Sequence, residues 1–346
     1  MRRRRFLQAT ALLPAWRLLA ADERPARITV GQLGTTHAHA AGKYAAVRGL
    51  GEDFLQMGVA ESDPGRRAGL AAGKDFKDAR WRDEAELLAD PAVRAVVIET
   101  DLAAATPTAW RALQAGKHVH LDKPGGDDHA AFKALRLEAA RRGLAFQMGY
   151  MLRHNPGVAW VRQAVRAGWL GELRRVEAAM NKQADAALRR QLLTYPGHGM
   201  LELGCHLVDV VVDLLGEPLR VAPEAERTGA DALPDRQSAE FRYANAVARI
   251  TCDHADPTAR RYLRVEGTNG WIQLDPLESR RLRHRFDAPP AGLPPGEQAL
   301  ALAGNGGRYD EEFRAFARMI RGERQRWDAA HDIAVHAAAR RAAGLA

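Results

Sequence analysis

Two short segments of this chain hold residues that could move a proton. In Ala115-Gly-Lys-His-Val-His-Leu-Asp-Lys-Pro124, the apolar run His118 to Leu121 reads as a buried strand that ends at Asp122 and Lys123. Lys123 therefore falls at the carboxyl edge of a strand, the side on which open α/β sheets bind ligands. Pro124 stops the strand and favours an extended conformation for the lysine before it. Partial burial pulls a lysine toward neutrality and makes it a proton carrier; a solvated turn lysine is the plainer alternative. The second segment is Glu202-Leu-Gly-Cys-His206, at the start of a strongly apolar stretch. In a regular helix, residues four apart project from one face, so Glu202 is expected to orient the His206 imidazole. A carboxylate, an imidazole and a lysine across a cleft form a workable acid–base set for a hydroxyl proton. Asp209, one turn further on, reads as structural.

A third segment, Gly31-Gln-Leu-Gly-Thr-Thr-His-Ala-His39, follows the first apolar run. A dinucleotide fold wants glycines there, so that backbone amides and a helix N-terminus can approach a pyrophosphate. Gly34 holds the first of those positions, while Thr36 and His39 replace the other two. Gly34, Thr35, Thr36 and His37 are the expected phosphate contacts. Glu61 ends the second strand, where an acid accepts from a ribose diol and disfavours a 2′-phosphate, which favours NAD over NADP. Thr100 follows the third strand. His37 and His39 are two apart and do not share a helical face, so no metal is expected.

These residues need a scaffold. From Arg27 to Met148, strand-like runs (28–33, 55–61, 93–98, 118–121, 145–148) alternate with helical stretches. That alternation predicts a parallel, doubly wound Rossmann sheet over residues 26–148. Residues 149–346 read differently: helix 156–168, strand 173–182, a polar loop and an apolar helix 201–215. Strands 238–243, 247–253, 262–266 and 271–275 follow, with turn residues between them. This predicts a C-terminal α/β domain with an open-faced, mainly antiparallel sheet. Residues 287–307 read as a loop rich in proline and glycine, and two amphipathic helices (309–321, 329–342) close the chain.

The net charge of +8 is concentrated at the N-terminus, where Arg2, Arg3, Arg4, Arg5 and Arg17 face no acid within residues 1–21. Without those five the chain carries +3, and no later segment mixes clustered basic residues with aromatics, so nucleic acid is not an expected partner. Arg3-Arg4-Arg5-Phe6-Leu7-Gln8 fits the twin-arginine export pattern, and the apolar stretch after it is too short to span a bilayer. Residues 1–21 thus read as a cleaved signal, with a periplasmic or secreted destination and no membrane anchor. Cys205 and Cys252 lack zinc spacing and are expected to be free and buried.

Taken in order, several motifs resemble the Gfo/Idh/MocA oxidoreductases, the family of glucose–fructose oxidoreductase and inositol dehydrogenase. They are Ala112-Leu-Gln-Ala-Gly-Lys-His-Val119 running into Lys123-Pro124, Gly149-Tyr-Met-Leu-Arg-His-Asn-Pro156, Gly168-Trp-Leu-Gly-Glu172, Glu202…His206…Asp209, and Val265-Glu-Gly-Thr-Asn-Gly-Trp271. The resemblance spans Arg27 to Ala342. It implies bound NAD(P), a sugar, polyol or cyclitol oxidised at a secondary alcohol, and a homo-oligomer (dimer or tetramer). The family's motif lysine falls on Lys123 and its catalytic histidine on His206. Glu202 stands where the family has aspartate, and Asp122 where its lysine motif commonly has glutamate. The resemblance makes Asp122 a cofactor neighbour, and Arg153, His154, Lys182, Tyr195 and His198 are the candidate substrate contacts. Two other functions fit the same residues: a redox-neutral glycoside hydrolase or lyase using trapped NAD, and a non-catalytic carbohydrate-binding protein.

Overall fold

The computed structural model describes residues 25–303, 306–324 and 326–345; the expected export signal lies outside them. The N-terminal half builds a five-stranded parallel sheet from β1 (Ile28–Leu33), β2 (Phe54–Ala60), β3 (Ala95–Ile98), β4 (His118–Asp122) and β5 (Phe146–Gly149), in the order β2-β1-β3-β4-β5. Helices α1 (Ala40–Gly49), α2 (Pro64–Ala72), α3 (Glu84–Ala89), α4 (Leu102–Gln114) and α5 (His129–Arg141) connect the strands. The strands read as continuous apolar runs because helices cover both faces of the sheet. Side-chain caps from Asp63, Asp101 and Asp128 start α2, α4 and α5, each satisfying amides that have no partner within the helix.

The second sheet has eight strands. Helix α6 (Pro156–Arg166) leads to β6 (Leu173–Met180), then α7 (Ala186–Thr194), a π-helical turn (Met200–Gly204) and α8 (Cys205–Leu215). There follow β7 (Arg220–Glu226), β8 (Arg236–Arg242), β9 (Val247–Asp253), β10 (Arg261–Gly267), β11 (Gly270–Leu274), β12 (Arg281–Phe286) and β13 (Gly296–Ala301). Their order is β13-β12-β11-β10-β6-β9-β8-β7. Only the β6–β9 pair is parallel. One face buries Val176, Ala178, Ile250, Val265 and Ile272, while Arg175 pairs with Glu177 and Arg264 with Glu266 on the other. The expected loop 287–307 contains β13, paired with β12.

The closing helices, α9 (Asp310–Ile320) and α10 (Ala329–Ala342), reach back to the first sheet and its helices, while α10 also packs on α8 and β7. Phe313 of α9 is fully buried and stacks on His120 of β4 at 4.9 Å. His336 of α10 stacks on Phe132 of α5 at 4.4 Å. One apolar core therefore runs through both halves. Among the described residues no helix is long and apolar enough to cross a membrane.

Candidate active site

Lys123 follows β4 and is 2% exposed. Its ammonium donates to the Glu202 carbonyl oxygen at 2.6 Å and to Glu202 Oε1 at 3.0 Å. Burial works to raise the Glu202 carboxyl, but the adjacent ammonium overrides it and holds the group at about 2. Burial likewise works to lower Lys123, and Glu202 carries it above the ordinary lysine value. The pair is thus ionic, and Glu202 does not orient His206 as expected. The reason lies in the backbone: Met200–Gly204 forms a π turn, which widens the turn and removes the one-face relation that four-residue spacing has in an α-helix. His206 is 1% exposed, with its ring 5.9 Å from that of Tyr150 and 6.1 Å from that of His39. Its Nδ1 has no hydrogen-bond partner, and burial together with Lys123 keeps it neutral, well below the ordinary histidine value.

A cleft of about 340 Å³ opens over Lys123 and Glu202, bounded by Thr36, His37, Thr100 and Asp101 on one side and Gln191, Thr194 and Tyr195 on the other. A second depression of about 250 Å³ adjoins it through Thr36, Thr100 and Asp101 and ends at Glu61, Arg82 and Arg111. Together they form a trough along the carboxyl ends of β1 to β4. Gly34 turns the chain out of β1 at φ +84°, and a Cβ there would lie 2.7 Å from Thr100 Cγ2. Only glycine accommodates both the left-handed φ and that close approach.

Other loop residues depart from expectation. Thr35 is buried: its hydroxyl donates to Glu61 and accepts from Arg66 Nε, so it faces the end of β2 and not a phosphate. Thr36 is exposed at the junction of the two depressions. The Glu61 side chain is 5% exposed and still borders the smaller depression. His39 stands where a third glycine would, but its ring turns inward to Asp122 at 3.0 Å. The residues present fit a dinucleotide: Glu61 at the ribose end, Thr36 and the α1 N-terminus at the phosphates, and Thr100 and Lys123 at the nicotinamide end. Asp122 lines the cleft beside Lys123, as expected of a cofactor neighbour, but its carboxylate is also held from behind. Both its oxygens are engaged within the protein, Oδ1 by the Lys123 amide and Oδ2 by His37, His39 and Lys43.

Of the expected substrate contacts, Tyr195 lines the cleft. Arg153 does not: its buried guanidinium donates through Nε to both oxygens of Asp209 and through Nη2 to Asp209 and, at 2.7 Å, to Asp332. His154 packs edge-on to Trp327 and borders a separate cavity with Arg280 and Arg314. Lys182 is exposed beyond β6, outside the cleft lining. His198 adopts φ +52° and donates from Nδ1 to the Leu192 carbonyl at 2.8 Å. Sequence reading missed Gln191 and Thr194, three apart on α7. The cap signal was there, since Asp185 accepts from the Leu188 amide.

Behind the cleft wall lies a buried charged network that sequence reading also missed. Lys43 is fully buried among Asp122, Glu99 and Glu312, and His120 Nε2 meets Glu312 at 3.0 Å. Burial works to lower His37, but Asp122 overrides it and raises the group to about 9. Burial first, then Asp122, raises Glu99 to about 7. A charged Lys43 on the same face of α1 as buried Ala40, Tyr44 and Val47 was the available signal.

Residues 28–150 match the family model described as "Oxidoreductase family, NAD-binding Rossmann fold", and residues 158–273 match that of the GFO/IDH/MocA C-terminal domain. The trans-1,2-dihydrobenzene-1,2-diol dehydrogenase of Bos taurus is 29% identical over 266 residues, covering 73% of this chain and 77% of that protein. The fold is shared with UDP-N-acetylglucosamine 3-dehydrogenase from Acidithiobacillus ferrooxidans, at 23% identity and a TM-score of 0.76, over 92% of this chain and 97% of that one. It is also shared with a levoglucosan dehydrogenase solved with NADH and levoglucosan, at 18% identity and a TM-score of 0.77, over 92% of this chain and 98% of that one. With both domain models matched in order along the chain, and a lysine at the carboxyl edge of β4 in the trough between them, the protein belongs to the Gfo/Idh/MocA family of oxidoreductases.

Proposed function

We propose that this protein is an NAD-dependent dehydrogenase acting on a secondary alcohol of a sugar, polyol or cyclitol. The observation that carries this reading is the buried Lys123 ammonium, held by Glu202 on the floor of the cleft. NAD, when bound in the trough, supplies the acceptor for the hydride that leaves the carbinol carbon. Lys123 donates to the carbinol oxygen and stabilises the charge that develops there as its proton leaves. The proton passes to His206, whose neutral imidazole has an unpartnered Nδ1. Tyr195, Gln191 and Thr194 offer hydrogen-bonding groups to the remaining hydroxyls.

Lys123→Met tests the reading. Oxidation of a polyol panel should fall at least about 100-fold, the low end of what one positioned acid–base group supplies, while NAD still binds by fluorescence titration. An undiminished rate overturns the assignment. From Arg3-Arg4-Arg5-Phe6-Leu7-Gln8 we further infer export by the twin-arginine route. Replacing Arg3 and Arg4 with lysine should retain the protein in the cytoplasm on fractionation. We infer a dimer or tetramer built on the open sheet face, which light scattering of the purified protein would test.

A further inference from the structure

We propose that His37, His39 and Asp122 form a binding site for a divalent transition metal of the zinc class, set in the wall of the cleft beside Lys123. Their ligand atoms all lie within 4.8 Å of one another. Asp122 Oδ2 is 3.0 Å from His37 Nδ1 and 3.0 Å from His39 Nδ1, and Glu99 Oε2 is 3.5 Å from His37 Nδ1. A tetrahedral ion with bonds of about 2.0–2.2 Å separates its ligands by about 3.3 Å. The two Asp122–histidine pairs already lie close to that spacing, and the two imidazoles, whose ligand atoms lie within 4.8 Å, close on the ion by at most about 1.5 Å. Two imidazoles with one carboxylate suit zinc, iron, cobalt or nickel, and do not suit magnesium or calcium, which take all-oxygen sites.

Two further observations point to a cation there. Glu99 is fully buried, and neither of its carboxylate oxygens has a hydrogen-bond partner, although Oε2 faces the His37 nitrogen. His37 Nδ1 is also asked to do two things at once. It accepts from the His39 amide at 3.2 Å, yet stands against the oxygens of Asp122 and Glu99. Charge runs the same way. Glu99, Asp122 and Glu312 set three carboxylates around one fixed cation, Lys43. Lys43 approaches Asp122 Oδ2 at 2.9 Å, and a carboxylate oxygen has a second lone pair for the metal. The two-residue spacing is no obstacle, because His37 and His39 lie in the turn before α1. His37 borders the cleft, so an open coordination position would face a bound hydroxyl.

The test is elemental analysis of natively purified protein, followed by titration of chelator-stripped protein with Zn²⁺ against a chromophoric competitor and with Co²⁺ by visible absorption. We expect one equivalent per chain, a tetrahedral Co²⁺ spectrum, and at least about 10–100-fold weaker Zn²⁺ binding in His37→Ala and His39→Ala. Circular dichroism confirms that the variants fold. The conservative His39→Cys change, which supplies a thiolate ligand, should retain metal and intensify the Co²⁺ absorption. No metal on the native protein and no binding after stripping overturns the proposal, as does binding that neither histidine variant weakens.

Discussion

Glu202→Gln is the change that separates two accounts of the site. The carboxyl of Glu202 sits at about 2 against an ordinary 4.5, although burial pushes the other way. The pull, led by Lys123 with smaller help from His37 and His254, is therefore worth about 3 kcal/mol at 1.36 kcal/mol per unit. Coulomb's law for opposite charges at the observed 3.0 Å gives about 5 kcal/mol at an effective dielectric of 20, which accommodates that figure. Coupling between two titrating sites is reciprocal, so Lys123 loses the share that it now supplies to Glu202 when the charge on Glu202 is removed. The desolvation that Glu202 now offsets is then unopposed. Lys123 should fall below the ordinary lysine value, and the alkaline limb of kcat/KM for alcohol oxidation should move to lower pH. Carbon-13 labelling of lysine Cε reads the same titration without turnover, against Lys43, Lys74, Lys77, Lys117, Lys133 and Lys182 as internal references. Glu202→Asp should restore most of the shift. If the lysine titration stays in place and the acid limb of the rate profile moves instead, Glu202 acts on His206 and the ion-pair account is wrong.

Arg153→Met should destabilise the protein by up to about 3–5 kcal/mol in denaturant melts, because it leaves buried Asp209 with His331 and buried Asp332 with Arg136 as their remaining partners. KM for the substrate should not change, and an increased KM at unchanged stability would return Arg153 to the cleft. His336 is held neutral, chiefly by burial, with its value pushed down to about 4. The unfolded chain takes up that proton near 6.5 and the folded chain does not, so stability is full above pH 6.5 and declines as pH falls toward 4, by about 3 kcal/mol for this group. His336→Phe should flatten the slope of stability against pH by up to one proton in that window; an unchanged slope would refute the assignment. Glu61→Ala should weaken NAD about 10–100-fold, the worth of a hydrogen bond to a charged group, and narrow its preference over NADP. Fluorescence titration with both nucleotides checks this, and equal affinities before and after would remove Glu61 from the ribose.

Much of the scaffold was legible because its signals are local. Strand β1 was placed at its observed bounds, and the other parallel strands to within two residues at either end, since strands covered on both faces are unbroken apolar runs bounded by turn residues. The misses share a different cause. Strand β13 buries little along its length and is held by pairing with β12; a strand defined by its neighbour leaves no alternation of its own. The π turn at Met200–Gly204 was invisible for a related reason, as its sequence is that of an ordinary apolar helix. Yet it decides which residue Glu202 touches.

Arg153 was misplaced, and the inner partners of Asp122 went unseen, because sequence shows that a residue is charged and not which charge meets it. For Asp122, strand geometry settles the matter. Successive side chains of a strand point to opposite sides, and β4 continues in register beside β3 and β5 as far as its last residues. Asp122 therefore turns into the network of His37, His39 and Lys43, and Lys123 turns toward Glu202 and the cleft. The Asp122 carboxylate also accepts the Lys123 amide at 2.6 Å, which ties the backbone carrying the reactive ammonium to the cluster behind it. A change in charge at His37 or His39, by proton or by metal, thus bears on the same carboxylate that fixes the start of the Lys123 side chain. The adjacent pair Asp122-Lys123 joins the buried network to the chemistry of the cleft through one residue of strand.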